Sequence, residues 1–289
     1  MIEELRAEGK IDSSGRFTLD AHRAGQKLAR YRLLNPQAYI LHLAASGVAA
    51  GASKLSFTLE NTGLQFEHDG QCPDFDQLTL LLEILAHSPP PPTAQRELAI
   101  AVQALRELSP RLTRLTCPGG QLDLTRRQLS VTPGEASSAF VLHIIAGGIG
   151  ASFQHFLKTD RADLRLLRQH FLYCPIPLED PQGLVNRPWP QAGPGWSARS
   201  TPWPLQFHSL ESRPEAPWGW AGAVHPSRSE SAPNLEIVLH GRSYPKRQER
   251  LQCTALVYSD TLATDLSGDK IIEDTLYEEM LESLSCSNA

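Results

Sequence analysis

Between Gln37 and Ala50 the residues Tyr39, Ile40, Leu43, Gly47 and Val48 recur near helical spacing. The pattern stops at Gly51 and passes directly into two β-rich runs, Lys54 to Glu60 and Leu64 to Glu67, joined by Asn61-Thr62-Gly63. A 3.6-residue period followed at once by a hairpin signal requires one core that serves a helix and an antiparallel ribbon together. Asn35 is placed to cap this helix, and Pro36 suits its first turn, where a missing N–H costs nothing. This junction constrains the fold more than any other segment.

The flanking pattern extends the same theme. A loop from His68 to Asp74 leads to an apolar helix from Phe75 to Ala86 and then to four consecutive prolines, Pro89 to Pro92, which form a stiff extended connector. A helix from Ala94 to Leu108 follows, with strand candidates at Leu112 to Cys117, Gln121 to Thr125 and Phe140 to Ala146. That order suits an α+β fold with helices layered on one face of a mixed sheet. Beyond Phe153 the chain reads as a charged helix, Arg161 to His170, then a strand, Phe171 to Pro177. A stretch rich in Pro, Gly and Trp reaches Pro233 and holds all five tryptophans (Trp189, Trp196, Trp203, Trp218 and Trp220). It is expected to be a long loop whose tryptophans fold back onto the sheet. Strands at Leu235 to His240 and Cys253 to Ser259 and a helix from Lys270 to Leu284 close the chain. The 289 residues therefore predict two domains, 1–152 and 153–289, the second interrupted at about 178–233.

Composition narrows the functional classes. With 27 Lys+Arg against 32 Asp+Glu and a net charge of −5, the chain lacks the basic character of a nucleic-acid binder. No apolar run approaches the length needed to cross a bilayer, and the first ten residues have no signal-peptide character, so a soluble cytoplasmic protein is expected, without a membrane or nucleic-acid partner. The five cysteines are scattered with no C-x-x-C pair, which speaks against a disulfide framework or a structural zinc.

The segment His42-Leu43-Ala44-Ala45-Ser46-Gly47-Val48-Ala49-Ala50-Gly51-Ala52-Ser53, followed by Lys54-Leu55-Ser56-Phe57, resembles the N-box helix and following strand of GHKL ATPases. That superfamily includes gyrase, MutL, histidine kinases and the large ATP-dependent chaperones. Phe66-Glu67-His68-Asp69-Gly70 falls where the family carries its adenine-binding D-x-G-x-G loop. The resemblance covers about Phe17 to Ala146 and implies a Bergerat-type α/β sandwich, with ATP and magnesium between the N-box helix and the loop. The later part is similar to the smaller α/β transducer domain that follows in such proteins, and homodimerisation is implied by the same analogy.

The departures from that pattern are chemically specific. The family's water-orienting glutamate aligns with His42, its magnesium-binding asparagine with Ser46 and the following aspartate with Ala49. A carboxylate base becomes an imidazole, and an amide-oxygen ligand becomes a weaker hydroxyl. The adenine-binding aspartate falls at His68 or Asp69, depending on register, and the second loop glycine is Cys72. The lid-side segment Arg96 to Ala101 has no glycine to let backbone N–H groups approach phosphates. The expectation is a degenerate relative without ATP hydrolysis, with no resident cofactor, acting as a binding or scaffold protein for a protein partner or client. The alternative is an atypical ATPase in which Ser46, His68, Asp69 and Gly70 form the nucleotide site.

Other residues invite sharper and plainer readings. His42 and Ser46 lie one helical turn apart, as a base and nucleophile would, but without a G-x-S-x-G elbow they read as pocket wall. Gly147-Gly148-Ile149-Gly150 has the order of a phosphate loop and reads better as an interdomain hinge. Arg161, Arg165 and Arg168, with Asp160 and Asp163 interleaved, predict a solvated helical face. Asp265 or Ser267 is placed to cap the last helix, whose acidic face either packs on its own sheet or binds a partner.

Overall fold

The computed structural model describes residues 36–60, 63–81, 93–126, 128–134, 139–146, 161–186, 220–225, 234–251, 254–265 and 268–286. Pro36–Ala38 forms a 3-10 turn that leads into helix α1 (Tyr39–Ala49). Tyr39 to Val48 are all buried, as expected of a helix that is apolar around its whole circumference. β1 (Leu55–Glu60) and β2 (Gly63–His68) pair as the expected hairpin, with Leu55 opposite His68 and Phe57 opposite Phe66. The facing phenylalanine rings stack with centroids 4.6 Å apart, a cross-strand pair that strengthens the ribbon.

A short helix α2 (Phe75–Thr79) follows, opened by a capping box in which Asp74 accepts from the Gln77 N–H and the Gln77 side chain accepts from the Asp74 N–H. Helix α3 (Thr93–Leu108), β3 (Leu112–Cys117), β4 (Gly120–Leu124) and β6 (Phe140–Ile145) lie within a residue or two of their expected positions, and β5 (Leu129–Thr132) is additional. Helix α4 (Ala162–His170) precedes β7 (Leu178–Asp180) and β8 (Gly183–Leu184).

These strands form a mixed eight-stranded sheet in the order β5-β4-β3-β6-β2-β1-β7-β8, in which β7 runs parallel to β1. Alternate residues, among them Phe57, Phe66, Leu115, Phe140 and Leu142, enter a core that also takes α1, α3 and α4 and extends from Ala38 to Val185. The fold is α+β. The large sheet takes β7 and β8 from beyond residue 152, and the expected division at 152/153 itself lies outside the described residues, as do Asn35, the four prolines and Gly147 to Gly150.

A second sheet has the order β11-β10-β12-β9, from β9 (Trp220–His225), β10 (Leu235–Leu239), β11 (Arg242–Lys246) and β12 (Thr254–Ser259). Helix α5 (Thr275–Cys286) buries Tyr277, Met280, Leu281 and Leu284 in a separate core with Leu235, Ile237 and Val257. The acidic helix therefore packs on its own sheet, and the Arg250–Glu278 ion pair in its first turn and the Lys246–Glu273 pair just before it tie this end to the strand side.

Several expectations change, beginning with the helix expected over Phe75 to Ala86, which ends at Thr79 and passes into a turn at Leu80 and Leu81. Phe171 to Pro177 is not a strand: the Asn186 amide donates to Cys174 O and Ile176 O, both at 2.9 Å, and its oxygen accepts from Leu178 N, so one side chain replaces a ladder. The stretch 178–233 is not a continuous loop, since β7, β8 and β9 lie in it; Trp189, Trp196, Trp203 and Trp218 are outside the described residues. The last helix begins at Thr275, capped by Asp274, whose Oδ1 accepts from Tyr277 N at 3.0 Å. Asp265 instead accepts from Asp269 N and Lys270 N, and Ser267 is not described.

Finally, Arg161 is not solvated. It is 1% exposed, its Nε donates to Asp163 Oδ1 at 2.9 Å, and its Nη2 donates to the Tyr39 hydroxyl at 3.0 Å, which in turn donates to Asp163 Oδ2 at 2.6 Å. A phenol and a carboxylate supply the acceptors that make burial of the guanidinium tolerable. Arg168 pairs with Asp180, and Arg165 alone is exposed as expected.

Candidate functional site

Of the five residues singled out from sequence, Ser46, His68, Asp69 and Gly70 lie where the end of α1 meets the end of β2, and His42 lies apart from them. Ser46 is buried, and its hydroxyl donates to Leu43 O at 2.7 Å. It is thus committed to its own helix and does not face His42 as a nucleophile would.

His68 closes the space beneath that helix. Its ring stacks on Phe140 with centroids 4.2 Å apart and 17° between the planes, and its Nδ1 accepts from Gly70 N at 3.1 Å. A methyl group added at Gly47 would lie 3.3 Å from the His68 ring and 2.5 Å from Leu55 Cδ2, so α1 rests directly on this imidazole. Burial lowers the His68 pKa to about 4, against a small opposing pull from Asp69, and the ring is a neutral packing element.

Asp69 and Gly70 form the outer edge. Asp69 is exposed; its carboxylate accepts from Ser53 N at 2.7 Å, from the Ser53 hydroxyl and from Lys54 N at 3.3 Å. These bonds, led by the Ser53 hydroxyl, hold its carboxyl below its ordinary value. Gly70 packs against the last turn of α1: an added Cβ would lie 2.8 Å from both Ala50 O and Ala52 N, and Gln71 N donates to Ala50 O at 2.8 Å. Backbone thus meets backbone where the loop passes the helix.

His42 belongs to a different cluster. Its side chain is completely buried, and Nδ1 lies 2.6 Å from Glu97 Oε2 on α3. Burial alone pushes the Glu97 carboxyl up; attraction and hydrogen bonding from His42, with further attraction from Arg96 and His240, more than reverse this and hold it below its ordinary value. With Glu97 ionised, Nδ1–H donates to it. His42 Nε2 has no hydrogen-bond partner among the described residues. A carboxylate that orients an imidazole is one element of general-base chemistry, yet the hydroxyl one helical turn on, Ser46, is turned to Leu43.

Residues of the second sheet complete this cluster. Arg242 Nη1 and the Tyr244 hydroxyl donate to Gly268 O at 2.9 and 2.8 Å, and Arg242 Nη2 donates to Asp269 Oδ1 at 2.8 Å. Gly268 has φ +71°, and an added Cβ would lie 3.0 Å from His42 Cε1. Only glycine combines that left-handed conformation with so close an approach to the ring. Sequence reading singled out His42 but missed Glu97, Arg242 and Gly268. The one available signal was Glu97 itself, a carboxylate on the face of α3 that also carries Ala101 and Ala104, both buried.

No family model matches this chain, and no curated protein matches it.

Proposed function

We propose that this chain is a degenerate relative of the GHKL ATPases, with a Bergerat-type domain and a transducer-like α/β domain, that works as a nucleotide-independent cytoplasmic scaffold for a protein partner. The observation that carries this reading is the His68 ring packed between Gly47 and Phe140, which fills with side chain the space where the resemblance would seat adenine.

The residues at the resembling positions do not fit Mg-ATP. His42 is an imidazole engaged with Glu97, where the family needs a free carboxylate. The Ser46 hydroxyl is turned back to Leu43 O and is buried, so it is not presented to a magnesium ion. Asp69, the other adenine candidate, is held outward by Ser53 and Lys54. The competing reading, an atypical ATPase with His42 in place of the glutamate, draws its support from the Glu97 contact that fixes the imidazole.

A thermal-shift series with ATP, ADP and GTP, each with and without magnesium, separates the two. A ligand at about 100 times its dissociation constant adds roughly 2.7 kcal/mol, so bound nucleotide would raise the melting temperature by several degrees. The scaffold reading expects no shift. A magnesium-dependent shift abolished by Asp69→Ala would replace it with the ATPase reading.

A further inference from the structure

The Glu97 carboxylate meets His42 Nδ1 of α1 at 2.6 Å and lies within the electrostatic reach of Arg96 beside it on α3, His240 at the β10–β11 turn and Arg242 on β11. Of these four groups, two stand with the first core and two with the second sheet. Around them, main-chain atoms of the second unit are drawn onto the first: Arg96 Nη2 donates to Asp265 O at 3.0 Å, and Arg242, itself paired with Asp269, holds Gly268 against the His42 ring.

We infer that the buried His42–Glu97 pair is the seat on which the second sheet docks onto the first core, in a clasp where Arg242 holds Gly268 against the imidazole and Arg96 holds Asp265. The clasp has a polar centre and an apolar flank. At the flank, an added Cβ on Gly241 would touch Cys174, Val48 and Phe171 at 3.0 to 3.1 Å, Tyr258 donates to Tyr173 O at 2.9 Å, and His170 Nδ1 lies 3.3 Å from Ser243 O. Negative groups of the second unit balance the cations: Asp269 on Arg242, and Asp260 3.7 Å from His240. Glu97 is the carboxylate supplied from the first unit, and it is 7% exposed. Removing its charge weakens the bond that holds the His42 ring in place beneath Gly268, which loosens the contact between the units. The inference stands whether or not a nucleotide binds elsewhere on the molecule.

Hydrogen exchange followed by mass spectrometry on the full chain tests it, with Glu97→Gln to remove the charge at constant shape and Gly268→Ala to wedge the clasp from the other side. Arg114→Gln, which breaks the distant surface pair with Asp123, serves as the control. The clasp predicts that both test variants exchange at least tenfold faster in peptides covering 240–243 and 268–271, while the β2 and β6 amides keep wild-type protection and the control changes neither. Unaltered exchange at 240–243 and 268–271 in both variants overturns the inference, as does uniform loss of protection across both cores in Gly268→Ala. If Glu97→Gln does not fold, Gly268→Ala decides by the same two criteria.

Discussion

The His68 imidazole lies flat on Phe140, ring centroids 4.2 Å apart, at the point where the end of β2 passes beneath α1. A histidine in that position behaves as an aromatic filler: 5% exposed, stacked, and neutral. Its chemistry therefore appears in the stability of the fold.

The sign of that effect is fixed by the direction of the shift. The His68 pKa falls from 6.5 to about 4 on folding, so the unfolded chain takes up the proton first as pH drops. Its contribution is complete above pH ~6.5 and is lost progressively toward pH ~4, by roughly 3 kcal/mol. Urea denaturation of wild type and His68→Phe at pH 7.5 and pH 5 should show the wild type losing more stability than the variant on acidification. Equal losses would remove His68 from its neutral, packed role.

Glu236 on β10 has the opposite slope. Burial raises its pKa from 4.5 to about 7, against a smaller lowering by Ser243. Its contribution is complete below pH ~4.5 and is lost as pH rises through ~7, at most roughly 3 kcal/mol since the group is partly solvated. Glu236→Gln should match wild type near pH 4.5 and exceed it at pH 8. A variant less stable than wild type at pH 8 would contradict this assignment.

The Tyr39–Arg161–Asp163 network pins the start of α4 to the start of α1. Asp163→Asn strips the carboxylate from a buried guanidinium and should cost about 3–5 kcal/mol. Tyr39→Phe removes a hydroxyl that both donates to Asp163 and accepts from Arg161, and should cost about 1–3 kcal/mol. Denaturant midpoints for the two variants test the ranking, which a milder effect of Asp163→Asn would reverse.

At the other end of the chain, Asp274→Ala should weaken α5 by about 1 kcal/mol through loss of its N-cap. Asp265→Ala should leave the helix at its present length, because the Asp265 carboxylate accepts from Asp269 N and Lys270 N, ahead of the helix. Helical amide protection at 277–280 distinguishes the two.

How much of this was legible depends on the range of the interaction that decides each element. The α1–β1–β2 unit is encoded locally, by helical spacing, a stop at Gly51 and a two-strand alternation, and it appeared as expected. β11 was missed because Arg242, Pro245 and Lys246 argue against a strand; Pro245 is accommodated because β11 is the sheet edge. The false strand before Pro177 was apolar enough, but Asn186 intercepts its carbonyls from ten or more residues away. The cluster around His42 was the least legible part. Its first partner, Glu97, is 55 residues distant, and Gly268 follows only after a further sheet, so no local pattern could join them. Arg161 failed for the same reason: its burial depends on Tyr39, 122 residues earlier.

The central claim is that the ground between α1 and the Asp69 loop is occupied by the protein's own side chains and accepts no nucleotide. A nitrogen-15 NMR titration of the full chain with Mg-ATP into the millimolar range, read at the Ser46, His68 and Gly70 amides, tests it most directly. The account predicts no saturable shift at any of the three. Saturable shifts at those amides, lost in Asp69→Ala, would contradict it.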